Sequence, residues 1–140
     1  MVHVIYHTKT GHSRKIAAAV ADALSVLAKD IKDCDPASLE GLLFIVSGVY
    51  ADKTAPELLD FVKRLAGRPV TAVLISSCTA GLTERKDLVN ALRLSGIRML
   101  PETFVCPGSF LFFRLGRPNL ADRQRAADFA VRTARLHGIA

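Results

Sequence analysis

Residues 2–27 read VHVIYHTKTGHSRKIAAAVADALSVL, and this stretch decides the fold. An apolar run at 2–6 leads through a turn rich in hydroxyl groups into a helical pattern at 14–27. The apolar side chains of that pattern recur on one stripe: Ile16, Val20, Leu24 and Leu27. A strand that enters a helix through such a turn presents backbone N–H groups and hydroxyls at the positive end of the helix dipole. The sequence therefore predicts an anion-binding loop suited to phosphate.

Apolar runs alternate with helical patterns along the rest of the chain. We predict further strands at 31–34, 42–49 and 70–77, and a last strand at 97–106 that Pro101 interrupts. We predict helices after Thr54, a candidate cap, with Pro56 in the first turn, and at 84–94. A final helix follows Asn119 and is expected to turn these side chains inward: Leu120, Ala127, Ala130, Val131 and Ala134.

This rhythm predicts a three-layer α/β sandwich, a five-stranded parallel sheet with helices on both faces. Two common strand orders compete, and we favour 2-1-3-4-5 because the dinucleotide fingerprint GxGxxG is absent. With 140 residues, half of them apolar, we expect one domain over 1–140. Ligands of such folds bind beyond the carboxyl ends of the strands. There the first loop (7–13), the second loop (49–54) and the third loop (77–82) should meet.

The first loop resembles that of flavodoxins, which carries Thr/Ser-x-Thr-Gly-x-Thr/Ser and encloses the phosphate of FMN. Thr8, Thr10, Gly11 and Ser13 stand at the matching positions. The resemblance implies noncovalent FMN as cofactor. It implies that the phosphate is held by Thr8, Lys9, Thr10, Gly11, His12 and Ser13.

The resemblance also implies that the other two loops frame the flavin ring. The candidate residues are Val49, Tyr50, Ala51, Asp52, Cys78, Thr79, Ala80 and Gly81. In the second loop, Ala51 replaces an aromatic residue of the family pattern, and Asp52 replaces a glycine.

The segments 104–108 and 116–119 are also similar to a subgroup of small flavodoxin-family proteins, with Arg117 where histidine is usual. Between them lies a loop rich in phenylalanine, at 110–113. This loop could cover the flavin, dock a partner or close the core.

The formal charge of +6 is unevenly distributed. Residues 1–97 carry 12 Lys/Arg against 10 Asp/Glu, and residues 98–140 carry 7 Arg against 3 acids. Such a bias favours redox partner proteins with an acidic docking surface, although flavodoxins are usually acidic themselves. Nucleic acid is disfavoured, because a basic stripe is more often a solvated helix face.

The three cysteines, Cys34, Cys78 and Cys106, form no CxxC pair. This usage is typical of a reducing compartment, and it suggests no metal site or disulfide framework. Cys78 does not fit the phosphatase pattern C-x5-R, because Arg85 follows it by seven positions. No apolar run is long enough for a membrane span and no leader follows Met1, so we expect a cytoplasmic protein.

No catalytic side-chain constellation stands out, which favours an electron carrier over a turnover enzyme. One alternative is an FMN-dependent NAD(P)H oxidoreductase acting on quinones or flavins. Another is a flavodoxin-fold binding or regulatory module that has lost FMN.

Overall fold

The computed structural model describes residues 1–8, 11–48, 54–78, 86–107 and 120–137, with only the backbone of His12, Ser77, Cys78, Glu102 and 105–107. The strands are β1 (Val2–His7), β2 (Ala28–Asp30), β3 (Gly41–Gly48), β4 (Val70–Cys78) and β5 (Arg98–Pro107). The α-helices are α1 (His12–Ala23), α2 (Pro56–Arg64), α3 (Lys86–Leu94) and α4 (Leu120–Leu136). Two 3-10 turns lie between β2 and β3, at Ile31–Asp33 and Pro36–Ser38.

The five described strands form one parallel sheet in the order β2-β1-β3-β4-β5, which confirms the predicted order. Strand β3 is buried along almost its whole length, because helices cover both of its faces. One apolar cluster joins α1 and α4 to Val4 and Phe44. The other joins α2 and α3 to Ile5 and Ile45 on the opposite face. Alternate residues of each strand therefore face different helix layers.

The predicted second strand at 31–34 is wrong. The strand occupies Ala28–Asp30, and the chain then turns because the Asp30 carboxylate accepts a hydrogen bond from the Lys32 N–H at 3.1 Å. Ile31 is buried against the second cluster rather than paired in the sheet. Ile31 is apolar because it packs beside the sheet, and a buried residue of a short strand would look the same in the sequence.

Helix α1 is shorter than predicted. The helix ends at Ala23, where the N–H of Val26 closes back on the Ala21 carbonyl and Ser25 takes a left-handed φ of 60°. Leu27 therefore leaves the helical stripe and is 84% exposed. In α4, Leu120 is also exposed, contrary to the prediction, whereas Ala127, Ala130 and Ala134 are buried as predicted.

Strand β5 lies at the sheet edge and is irregular, as Pro101 predicted. Ala72 pairs with Met99, but Leu74 pairs with Thr103, so β5 bulges outward around the proline. Thr54 does not cap α2, whose capping position is Ala55, although Pro56 does occupy the first turn. The proposed Asn119 cap lies outside the described residues.

Candidate functional site

Three strands of the parallel sheet end side by side at its carboxyl edge. His7 at the end of β1 is in register with Ser47 of β3, and Gly48 is in register with Ser77 of β4. The helix that follows β1 packs on one face of the sheet, and the helices that follow β3 and β4 pack on the other. The chain therefore changes faces between β1 and β3, which is where doubly wound folds bind ligands.

The first loop connects β1 to α1. The Thr8 Oγ1 accepts a hydrogen bond from the Gly11 N–H at 2.8 Å, and Gly11 has a left-handed φ of 88°. The Gly11 carbonyl accepts the first bond of the helix, from the Lys15 N–H at 3.2 Å. Gly11 is the N-cap residue and has no side chain with which to cap the helix. Within the described residues, the first-turn N–H groups of α1 therefore have neither an intrahelical partner nor a cap from the N-cap residue.

The predicted phosphate residues fall into three groups. Thr8 and Gly11 are brought together by their hydrogen bond, and Ser13 is 1% exposed in the first turn of α1. His12 is described only as the first residue of α1. Lys9 and Thr10 lie outside the described residues. The Gly11 N–H already donates to Thr8, so it could bind an anion only if that hydrogen bond were exchanged.

The predicted ring residues lie mostly outside the described part of the chain. Cys78 is the last residue of β4, where it is in register with Pro107 of β5. The others fall outside the described ranges: Val49, Tyr50, Ala51, Asp52, Thr79, Ala80 and Gly81. The structure therefore gives the places where these segments begin and end, at Gly48, Thr54, Cys78 and Lys86.

Two side-chain contacts at the flanks of the loops were not predicted from the sequence. The His7 Nε2 lies 3.5 Å from Glu57 Oε2 in the first turn of α2, and the buried His7 Nδ1 has no hydrogen-bond partner within the described part of the chain. Asp87 in α3 accepts hydrogen bonds from the N–H and hydroxyl of Thr54. No sequence pattern predicts the second contact, because its partners are 33 positions apart.

A surface groove of about 820 Å³ lies between α1 and α4. One end of this groove is Gly11, so the groove adjoins the first loop. Arg14, Lys15 and Arg123 line it, together with one acid, Asp22. Alanines form much of the remaining lining, at 18, 19, 23 and 127. The lining of the groove thus carries more positive than negative charge.

Within the described ranges, no cluster of three His, Cys, Asp or Glu side chains could hold a metal ion. None of the helices described is long and apolar enough to traverse a bilayer. Cys34 is buried and lies directly after the first 3-10 turn, next to Asp35.

Comparison with known proteins gives one family and many similar structures. The family model described as a flavodoxin domain matches residues 3–111. No significant match was found among curated protein sequences. A flavodoxin of Streptococcus pneumonia TIGR4 is 18% identical, with a TM-score of 0.70 over 96% of this chain and 98% of its own. A flavodoxin from the domain Archaea is 13% identical, with a TM-score of 0.73 over 96% of both chains.

A larger protein shares the same architecture. The rubredoxin oxygen:oxidoreductase of Desulfovibrio gigas is 19% identical to this chain, with a TM-score of 0.69. The match covers 96% of this chain but 35% of that one. At these identities the structural likenesses establish the fold.

Proposed function

The chain belongs to the flavodoxin family, and from this premise we propose that it binds FMN noncovalently and passes electrons between redox partner proteins. The single observation that carries the proposal is the N-terminus of α1, whose N-cap residue is a glycine with no capping side chain, and which follows β1 through the Thr8–Gly11 hydrogen bond. A helix end of this kind favours a dianionic group, because its N–H groups and dipole both attract negative charge.

The surroundings of Gly11 are compatible with the phosphate of FMN. A Cβ on Gly11 would have no atom of the described residues within 4 Å, so Gly11 leaves space for a ligand beside it. The Thr8 oxygen accepts from Gly11, and a hydroxyl that accepts one hydrogen bond still has a proton to donate. Thr8 would donate that proton to the phosphate. The other members of the proposed phosphate site are Lys9, Thr10, Gly11, His12 and Ser13.

The proposed ring site lies between the second and third loops. It would use Val49, Tyr50, Ala51, Asp52, Cys78, Thr79, Ala80 and Gly81. A bound FMN supplies the redox chemistry, because its ring accepts and returns electrons. The chain itself would bind the phosphate, orient the ring and limit its contact with water.

The groove between α1 and α4 supports a partner with an acidic docking surface. Arg14 and Lys15 are exposed, and both lie beside the first loop. Positive charge beside a redox site raises the encounter rate with acidic proteins, and added salt screens this attraction.

FMN titration of the purified apoprotein tests the proposal. We expect a yellow complex with about one FMN per chain, as a single phosphate-binding helix end per chain implies. Protein that takes up no FMN would contradict the proposal and favour a binding module without cofactor. Steady turnover with NADPH and a quinone, in the absence of another protein, would favour the oxidoreductase alternative.

A charge-reversal series tests the docking surface on the FMN-loaded protein. Reoxidation by ferricyanide, a small anionic acceptor, should be slower in Arg14→Glu and Lys15→Glu than in the wild type at low salt, and the difference should disappear at high salt. A neutral quinone should give equal rates for all three proteins. Lys32→Glu, near β2, is the matched control. Equal ferricyanide rates at low salt would contradict the assignment of this groove.

A further inference from the structure

Asp87 joins two parts of the carboxyl edge that are distant in sequence. The Thr54 N–H donates to Asp87 Oδ2 at 2.6 Å, and the Thr54 hydroxyl donates to Asp87 Oδ1 at 2.8 Å. The Asp87 Oδ1 also accepts from the Leu88 N–H at 2.7 Å. Thr54 is 4% exposed. Both carboxylate oxygens are therefore used, in a partly buried place where charged hydrogen bonds are strong.

The Thr54–Asp87 contact connects the end of the second loop to the start of α3. Residues 49–53 run from Gly48 to Thr54, and residues 79–85 run from Cys78 to Lys86. At their starts, Gly48 and Ser77 are held in register by the sheet. At their ends, Thr54 is held by Asp87, the second residue of α3. The residues that flank the two segments are therefore held together by the sheet at the start and by the Thr54–Asp87 hydrogen bonds at the end.

We propose that Asp87 is a positioning residue: its hydrogen bonds to Thr54 hold the chain just before α2 against the start of α3, and so pre-organise the flanks of the proposed FMN site. This inference rests on the proposed FMN function. Fixing the flanks before the ligand arrives raises the fraction of protein that is competent to bind, and the apparent affinity rises in proportion. The carboxylate is required because it offers two acceptors to the two donors of Thr54, whereas an amide offers one acceptor and one donor group.

The test compares Asp87→Asn, Thr54→Val and Thr54→Ser with Asp60→Asn. The last variant makes the same chemical change at an exposed carboxylate of α2. We expect FMN to bind about 10-fold more weakly to Asp87→Asn and about 3-fold more weakly to Thr54→Val, which keeps the backbone bond. The FMN affinities of Thr54→Ser and Asp60→Asn should stay within about twofold of the wild type, because neither change removes a hydrogen bond between Thr54 and Asp87.

A second measurement separates positioning from general stability. At saturating FMN, the visible circular dichroism of the bound flavin should change in Asp87→Asn and Thr54→Val, and Thr54→Ser should restore the wild-type spectrum. A variant that only lost stability would keep the wild-type spectrum once loaded. Unchanged FMN affinity and spectra in both Asp87→Asn and Thr54→Val would overturn the inference and leave FMN binding intact.

A cofactor-free measurement distinguishes failure of the inference from failure of the proposed function. In the apoprotein, the Thr54 amide should exchange with solvent at least about tenfold faster in Asp87→Asn than in Asp60→Asn, because its acceptor is weakened. If the wild type takes up no FMN, the proposed function fails, and the role of Asp87 in FMN binding fails with it. Protection of the Thr54 amide would then still establish Asp87 as the group that holds the flanks together. Equal exchange in the two variants would overturn that role as well.

Discussion

The Thr8 hydroxyl oxygen accepts a hydrogen bond of 2.8 Å from the Gly11 N–H, across the turn that leads into α1. This bond orients the threonine oxygen toward the start of the helix and leaves its proton for another acceptor. The relationship links the local geometry of the turn to the proposed phosphate site, and it can be tested by removing the hydroxyl alone.

Thr8→Val should weaken FMN binding by about 10- to 100-fold, the loss expected for one hydrogen bond to a charged group. Thr8→Ser keeps the hydroxyl and should remain within about threefold of the wild type, because only a methyl group is lost. Fluorescence titration of FMN into each apoprotein measures the affinity. Equal affinities for the valine variant and the wild type would remove Thr8 from the site.

The strand order was predictable because it follows from features that are local in sequence. The buried run at β3 and the hydroxyl-rich turn after β1 both carry their signals within a few residues. The proline in β5 likewise marked an irregular edge strand. The ends of elements were less predictable. Helix α1 ends early because the Val26 N–H donates to the Ala21 carbonyl, and β2 ends where the Asp30 side chain accepts from the Lys32 N–H. Neither hydrogen bond can be predicted from the spacing of hydrophobic residues.

The candidate site was predictable only where one segment supplies it. Thr8 and Gly11 are neighbours in sequence, and the structure brings them together. Thr54 fits the composition of a helix cap, yet its side chain bonds to Asp87 instead. That bond depends on how α2 and α3 pack on the same sheet face, which is tertiary information. The pairing of His7 with Glu57 depends on the same packing.

The Cys34 thiol should be slow to react in the folded protein. The side chain is 7% exposed, and burial raises the pKa of the thiol, with Asp35 adding to the rise and Lys29 opposing it. Since the thiolate is the reactive form, alkylation by iodoacetamide at pH 8 should be at least about tenfold slower in buffer than in urea. Peptide mass spectrometry measures the modification at Cys34. Equal rates in buffer and urea would contradict the buried placement.

His3 should make folding stability depend on pH. Burial lowers the pKa of His3 below 6.5, assisted by the N-terminal ammonium and Lys29 and opposed by the charge of Glu40 and a backbone hydrogen bond with it. The unfolded chain therefore binds a proton more readily than the folded chain, and stability should fall as the pH drops from about 8 through 6.5.

The His3 contribution can be isolated by His3→Gln, which does not titrate. Urea unfolding at pH 8 and pH 5.5 should show a larger loss of stability in the wild type than in this variant. A His3→Gln protein with the same pH dependence as the wild type would contradict the assignment.

Gly11 and Gly41 both have left-handed φ angles, 88° and 85°, but their surroundings differ. A Cβ on Gly11 meets nothing, whereas one on Gly41 would overlap the Met1 carbonyl oxygen, which accepts the Leu42 N–H at 2.9 Å. Gly11→Ala should therefore cost only backbone strain, about 1–2 kcal/mol of unfolding free energy. Gly41→Ala adds overpacking at the start of β3 and should cost about 2–5 kcal/mol. Urea unfolding measures both, and Gly67→Ala, with a φ of 82° and open surroundings, should match Gly11→Ala. Equal losses of unfolding free energy in Gly11→Ala and Gly41→Ala would contradict the predicted overpacking, because they would mean that the chain at Met1 and Gly41 adjusts to the added methyl group.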